Sequence, residues 1–202
     1  MDSLNRLQEI FAHFPGIGPR QARRFVYYLL GKSPSFIKEF TDILHEAKKF
    51  ISECSQCHRF FAQQAKENIC SICSNQDRDT STIMIVGRDS DFEAIERSGA
   101  YKGLYFILGG SVPLMDKEPS KRIRLDALTK RLGNSAQLKE IILSLNTTPD
   151  GEHTAHIVKE VIEKIPSLKN AKITLLGRGL STGAELEYAD GETIKSALKN
   201  RG

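Results

Sequence analysis

Four cysteines constrain this chain more than any other residues. They are its only cysteines, and they fall into two pairs, Cys54-x2-Cys57-x12-Cys70-x2-Cys73. Each CxxC sets two sulfurs on one tight knuckle, and two knuckles close a tetrahedron around a zinc ion. Four thiolates leave no open coordination position, so the spacing predicts one structural Zn²⁺ per chain. The alternatives are two disulfides or free thiols. The sequence shows neither a bilayer-spanning apolar run nor a signal-peptide pattern, which points to the cytoplasm and no membrane partner. Disulfides are rare there. Apolar residues are few in this stretch (Phe60, Phe61, Ile69, Ile72), so metal binding is expected to supply much of its folding energy.

The cysteines divide two unlike halves. Before them, Leu4, Leu7, Ile10, Phe11 and Phe14 recur at helical spacing. Pro19 suits the first position of a second helix, with Ala22, Phe25, Val26, Leu29 and Leu30 on one face and Gly31 as its C-terminal cap. Ser33-Pro34 opens a third, with Phe36, Ile37, Phe40, Ile43, Leu44 and Ala47 as its expected buried stripe. After the cysteines, TIMIV, LYFIL, EIILSL and KITLL are apolar runs of strand length separated by helical patterns. That alternation predicts an α/β unit with a mainly parallel sheet. The tail DGETIKSALKNR reads as a last short helix.

The stretch FPGIGPRQARR joins the first two helices and fits a helix-hairpin-helix element. Its glycines permit a tight turn and close approach to a phosphate. Free N–H groups at the start of the second helix add an anion site. Gly16, Ile17 and Gly18, with Arg20, Arg23 and Arg24, are therefore the expected DNA contacts, binding backbone without reading sequence. An ordinary interhelical turn with a solvated basic face is the plain alternative, and subunit contact is another. The net charge of +4 permits an anionic partner without demanding one.

Acids after the first and third strands invite a metal reading: Asp89 and Asp91, then Asp150 and Glu152. Capping is the stronger reading for all four. Ser90 with Glu93 makes a capping box, and Thr148-Pro149 makes an N-cap and first-turn pair. His153 and His156, with no third ligand at evident spacing, read as surface residues.

Taken in order, these pieces resemble the RecR family of bacterial recombination mediators from end to end. FPGIGPRQARRFVYYLL resembles its helix-hairpin-helix, and CSQCHRFF with CSICSNQDRD resembles its zinc finger. AIERSGAYKGLYFILGG is similar to its Toprim signature, with Gly109 and Gly110 at the closing turn. NTTPDGEHTA is similar to its acidic motif, with Asp150, Gly151 and Glu152 in the acid-Gly-acid places, and GRGLSTGAELEYAD to its C-terminal motif. The resemblance implies an α+β fold in four parts: helix-hairpin-helix region 1–52, zinc finger 53–78, Toprim domain 79–176 and C-terminal segment 177–202.

It also implies a non-enzymatic role. Such proteins act on DNA with RecO, and in some settings RecF, to help RecA replace single-strand binding protein (SSB) at gaps. They form dimers or ring-like tetramers. The chain departs from the family in two places. Gly87-Arg88 stands where Toprim enzymes carry a glutamate, and SVPLMDKEPSKRI lacks the usual Pro-Leu-Asp-Gly run. A cation where a metal-binding carboxylate belongs argues against two-metal catalysis. The competing expectations are a Mg²⁺-dependent nuclease using Asp150 and Glu152, and a protein-binding adaptor built on the zinc finger.

Overall fold

The structure, a computed structural model, describes residues 2–62, 68–135, 137–177, 179–180, 183 and 185–200. The chain divides into two compact units, Met1–Ser52 and Glu53–Gly202.

The first unit is helical. Helix α1 (Ser3–Ala12) is capped by Asp2, whose carboxylate accepts from the Leu4 amide. Helix α2 (Pro19–Leu30) has Pro19 in its first turn and packs on α1. Ala22 and Val26 are fully buried, and the Phe11 ring lies 5.7 Å from Phe25. Gly31 does end α2, but in right-handed rather than left-handed geometry. Helix α3 (Pro34–Phe50) starts at Ser33, whose hydroxyl accepts from the Phe36 amide. Its expected stripe is not buried. Ile43 and Leu44 are more than half exposed, and no residue of α3 is fully covered. On α2, Leu30 is also 63% exposed. Helical spacing gathers apolar side chains onto one face, but covering that face takes a second surface.

Next along the chain comes a two-stranded ribbon, β1 (Ile51–Glu53) and β2 (Phe60–Ala62), followed by the short helix α4 (Ser71–Ser74). Then strands and helices alternate: β3 (Asp79–Val86), α5 (Asp89–Ser98), β4 (Gly103–Ile107), α6 (Leu125–Gly133), β5 (Glu140–Ser144), α7 (Pro149–Glu163) and β6 (Lys172–Leu175). Helix α8 (Gly191–Lys199) follows, with Asp190 accepting from the Glu192 and Thr193 amides. The sheet order is β4-β3-β5-β6, and every pairing is parallel.

Strand alternation gives the sheet two apolar faces. Ile83 and Ile85 pair in register with Leu104 and Phe106 on one side and with Ile141 and Leu143 on the other. These six face a core built with Leu128 and Leu132 of α6 and Val158 and Ile162 of α7. Met84, Val86, Tyr105 and Ile107 point the other way. There they share a core with Phe92 of α5, Ile72 and three cysteines. The cysteine segment, poor in apolar residues of its own, therefore packs into the core of the sheet. It covers the second face of a parallel sheet, which must be buried on both sides.

Local caps place the strand-end loops. Thr148 caps α7, accepting from the Gly151 amide at 3.2 Å, with Pro149 next in line. The expected Ser90–Glu93 box is not formed. Helix α5 starts two residues earlier, with Arg88 at the N-cap, and Asp91 reaches back to accept from the Arg88 amide at 2.9 Å. Gly99 closes α5 at φ +68°, the left-handed geometry glycine tolerates. Among the described residues, no helix is long and apolar enough to cross a membrane.

Candidate metal centre and strand-end crevice

The four cysteine sulfurs lie within 4.8 Å of one another. Two sulfurs of a zinc tetrahedron with bonds of about 2.3 Å would stand about 3.8 Å apart. Cys57 and Cys70 Sγ are 3.5 Å apart, close to that edge. The first knuckle is folded by the His58 amide donating to the Cys54 carbonyl, and the second by the Ser74 amide donating to Cys70. The Cys70 amide also donates to the Cys54 sulfur at 3.3 Å, a contact that favours thiolate. Hydrogen bonds from Cys57, Cys70 and Cys73 push the Cys54 pKa down, while bonding to Cys54, then Cys57 and Cys70, pushes the Cys73 thiol up. Four thiolates this close repel one another until a cation joins them. The donor set is all sulfur, three of its members are buried, and it fits one closed metal site.

The centre is stitched to the sheet. The Ile107 amide donates to the Cys57 carbonyl at 2.9 Å, and the Phe60 amide donates to the Asp89 carboxylate at 3.0 Å. Glu53 holds His58 at 2.7 Å and Arg124 at 3.1 Å. Arg124 lies against Gly109, where an added Cβ would come within 2.4 Å of its Nη1. Gly109 also has φ +90°, so both space and backbone demand glycine there. At the other end, Arg78 binds Glu96 and the Gly103 carbonyl, tying the chain after the cysteines to α5 and β4.

The acids of the strand ends are occupied structurally. Asp150 accepts from the Leu114 amide at 3.1 Å and so anchors the loop after β4. Thr154 is fully buried; its hydroxyl accepts from the Val112 amide and donates to the Asp150 carbonyl. Gly151 between the acids cannot be replaced freely, because a Cβ there would sit 2.0 Å from the Asn146 carbonyl oxygen. Gly87 lies across the crevice, and a Cβ there would stand 3.1 Å from the Asp91 carboxylate. Among the described residues, the cysteines are the only group of three or more metal-ligating side chains close enough to share an ion. Asp89, Asp91, Asp150 and Glu152 are not gathered into one. His156 pairs with Glu160 on the surface of α7.

The hairpin residues do cluster. Gly16 takes φ +76°, the Ile17 amide donates back to Phe14, and Gly18 is the α2 N-cap without a capping side chain. Arg20, Arg23 and Arg24 are exposed on the first two turns, and Arg24 also donates to the Gln21 side chain. Sequence reading missed Thr154, Arg124 and the Glu53 link. Thr154 lies one helical turn after Asp150 in the acidic motif, a usable signal, but nothing local marks Arg124 as a partner of Gly109.

Comparison with known proteins agrees with this geometry. A family model described as the Toprim domain matches residues 81–175, the span of the parallel sheet. A model described as RecR, C-terminal, matches residues 179–201. Recombination protein RecR of Lactobacillus helveticus is 34% identical over 195 residues, covering 96% of this chain and 94% of that protein. That of Legionella pneumophila subsp. pneumophila is 34% identical over 201 residues, covering 100% and 96%. The chain belongs to the RecR family. A third RecR, from Lactobacillus delbrueckii subsp. bulgaricus, is 37% identical over 196 residues, covering 97% and 94%. Within the RecR C-terminal motif, Arg178, Ser181, Thr182 and Ala184 lie outside the described residues.

Proposed function

We propose that this chain is a non-enzymatic DNA recombination mediator, which binds DNA and, with RecO and where present RecF, helps load RecA onto SSB-coated single strands at gaps. One observation supports a mediator over a nuclease more than any other. In a Toprim-type crevice the residue after the first strand is Gly87, and the carboxylate of Asp91, which caps the next helix, crowds its side-chain space. Two-metal phosphoryl transfer needs converging carboxylates. Asp150 holds backbone instead.

In this reading DNA is held by the N–H groups after Gly18 and by Arg20, Arg23 and Arg24, and Zn²⁺ occupies the four cysteines. The zinc would supply structure only: it fixes the two knuckles, while the chain's own residues carry every contact to partners. Asp150 and Glu152 mark a partner-facing strand end rather than a metal site. The exposed apolar residues of α2 and α3 support assembly as a homodimer or ring-like homotetramer, in which weak phosphate contacts multiply. A cytoplasmic location accords with this role.

The test is RecA filament formation on SSB-coated single-stranded DNA, with and without this chain and its cognate RecO. Acceleration that needs both proteins supports mediation. Mg²⁺-dependent strand cleavage lost on Asp150→Asn would replace it with the nuclease reading. Arg20→Ala with Arg23→Ala should weaken DNA binding and lower its salt slope by about 2 for duplex. An unchanged slope would remove these arginines from the interface.

A further inference from the structure

The two ends of the parallel sheet differ in charge. The carboxyl ends of the strands are mixed: Asp89, Asp91, Asp126, Asp150 and Glu152 stand there with Arg88, Lys121, Arg122 and Arg124. The opposite rim collects cations from two connections. Lys130 and Arg131 end α6, Lys139 leads into β5, Lys164 ends α7, Lys169 follows, and Lys172 opens β6. Parallel topology brings helix ends and strand starts to this one edge. The Lys172 amide donates to the Lys139 carbonyl, and the Lys139 amide to Ser81 at the start of β3. Leu132, Leu138, Ile165 and Leu168 anchor the same connections in the core beneath.

These charges are largely uncompensated. Among the described residues, no ion pair within 4 Å involves Lys130, Arg131, Lys139, Lys164, Lys169 or Lys172. Three acids share the rim with these six cations and do not balance them. Asp79 accepts from the Ser81 amide and hydroxyl, Glu140 accepts from Thr174, and Glu163 pairs with Lys159. Asp79 is near enough to Lys139 for its pKa to be lowered partly by that charge, after its hydrogen bonds to Ser81. Helix dipoles account for Lys130, Arg131 and Lys164, each at a helix C-terminus. They do not account for Lys139 or Lys172, which stand at strand starts.

We infer that this rim is a second nucleic-acid surface, one that holds the phosphate backbone. The reading rests on the proposal that the chain binds DNA, and adds a site remote in sequence from the hairpin. An acidic protein partner would want a desolvated apolar anchor at the centre of its footprint. The rim has none: among the described residues, the exposed large apolar side chains of this unit lie elsewhere, as at Leu114, Met115, Leu175 and Leu176. Between the lysines stand the exposed polar residues Asn134, Gln137, Ser167 and Asn170. Spaced lysines with neutral polar neighbours suit phosphates, which ask for charge and donors and carry no sequence information.

The experiment is a salt titration of duplex binding by fluorescence anisotropy, using the full chain and the triple variant Lys139→Ala/Lys169→Ala/Lys172→Ala. If all three contact phosphates, the slope of log K against log salt falls in magnitude by about 2.7, and affinity drops at least tenfold at low salt. The matching Lys→Arg variant should restore both, which a folding defect would not allow. Binding by the unaltered chain with the same slope and affinity in the alanine variant would overturn the rim and leave the DNA reading standing. No binding by the unaltered chain would overturn both. Polyglutamate that binds the unaltered chain, is lost on the alanine change and leaves duplex binding untouched would assign the rim to an acidic protein instead.

Discussion

The two units solve burial in opposite ways. In Glu53–Gly202 the strands β3 and β4 are covered on both faces, one by α6 and α7 and the other by α5 with the cysteine knuckles, and the edge strand β6 leaves Leu175 exposed. In Met1–Ser52 only Ala22 and Val26 are fully covered, while Ile43, Leu44 and Leu30 stay in solvent. Both have ordinary amphipathic patterns in sequence. The larger unit closes a core around its sheet, whereas the helical unit leaves most of its apolar face exposed. Exposed apolar surface of this kind often marks an interaction site.

The sharpest way to break that comparison is to remove the metal. Chelation under reducing conditions, or Cys57→Ser, should collapse the packing of Tyr105 and Phe92, whose rings meet edge to face at 4.9 Å. Apparent binding energies of structural zinc are about 10–16 kcal/mol, so the loss should dominate every other change. Near-UV circular dichroism with metal counting by mass spectrometry is the measurement. Retained tyrosine signals in a metal-free chain would show that the knuckles do not hold the sheet face.

Glycines give the next largest contrast. Gly151→Ala forces a Cβ onto the Asn146 carbonyl, and overpacking of this sort costs about 1–3 kcal/mol, read in a urea melt. Gly18→Ala meets nothing within 4 Å and has ordinary backbone angles, so its melt should scarcely move. Equal effects would contradict the tight seat of α7. On the other unit, Ile43→Glu with Leu44→Glu should lower the assembly mass seen by light scattering and leave thermal stability within about 0.5 kcal/mol, as for exposed positions. An unchanged mass would move assembly off α3.

The smallest effect is a pH dependence. Burial opposes ionisation of Glu96, but the hydrogen bond and charge of Arg78, with Tyr105 and the Lys102 charge, together outweigh it and hold its pKa below the usual range. A carboxylate depressed in the folded state stabilises the protein above its unfolded value of about 4.3, and that gain fades as pH falls through the folded pKa. Glu96→Gln should therefore lower the melting temperature by a few degrees at pH 7 and converge with the parent near pH 3. Parallel curves would mean that the pair contributes nothing.

Much of this was legible in the residues. The four strands were apolar runs of the right length, and Thr148-Pro149 announced α7 because its cap is local. The start of α5 was misplaced because two overlapping caps compete, and a backbone amide of arginine won the acid. The α3 stripe was seen, but periodicity tells which face is apolar and not what covers it. The sheet's need for the cysteine knuckles was invisible for the same reason. So was the bond from Leu114 to Asp150, which depends on a loop path that no pattern encodes.

The bond between Ile107 and Cys57 has a further consequence. Strand β4 is an outer strand of the sheet, and its free edge is where a stray chain would add itself. The first knuckle sits there as a stopper. If the four cysteines hold a metal, its loss would bare that edge together with the tyrosine-lined face beside it, and such chains would be expected to pair edge to edge before they unfold completely. Metal would then act on how well the chain stays dispersed as well as on its fold.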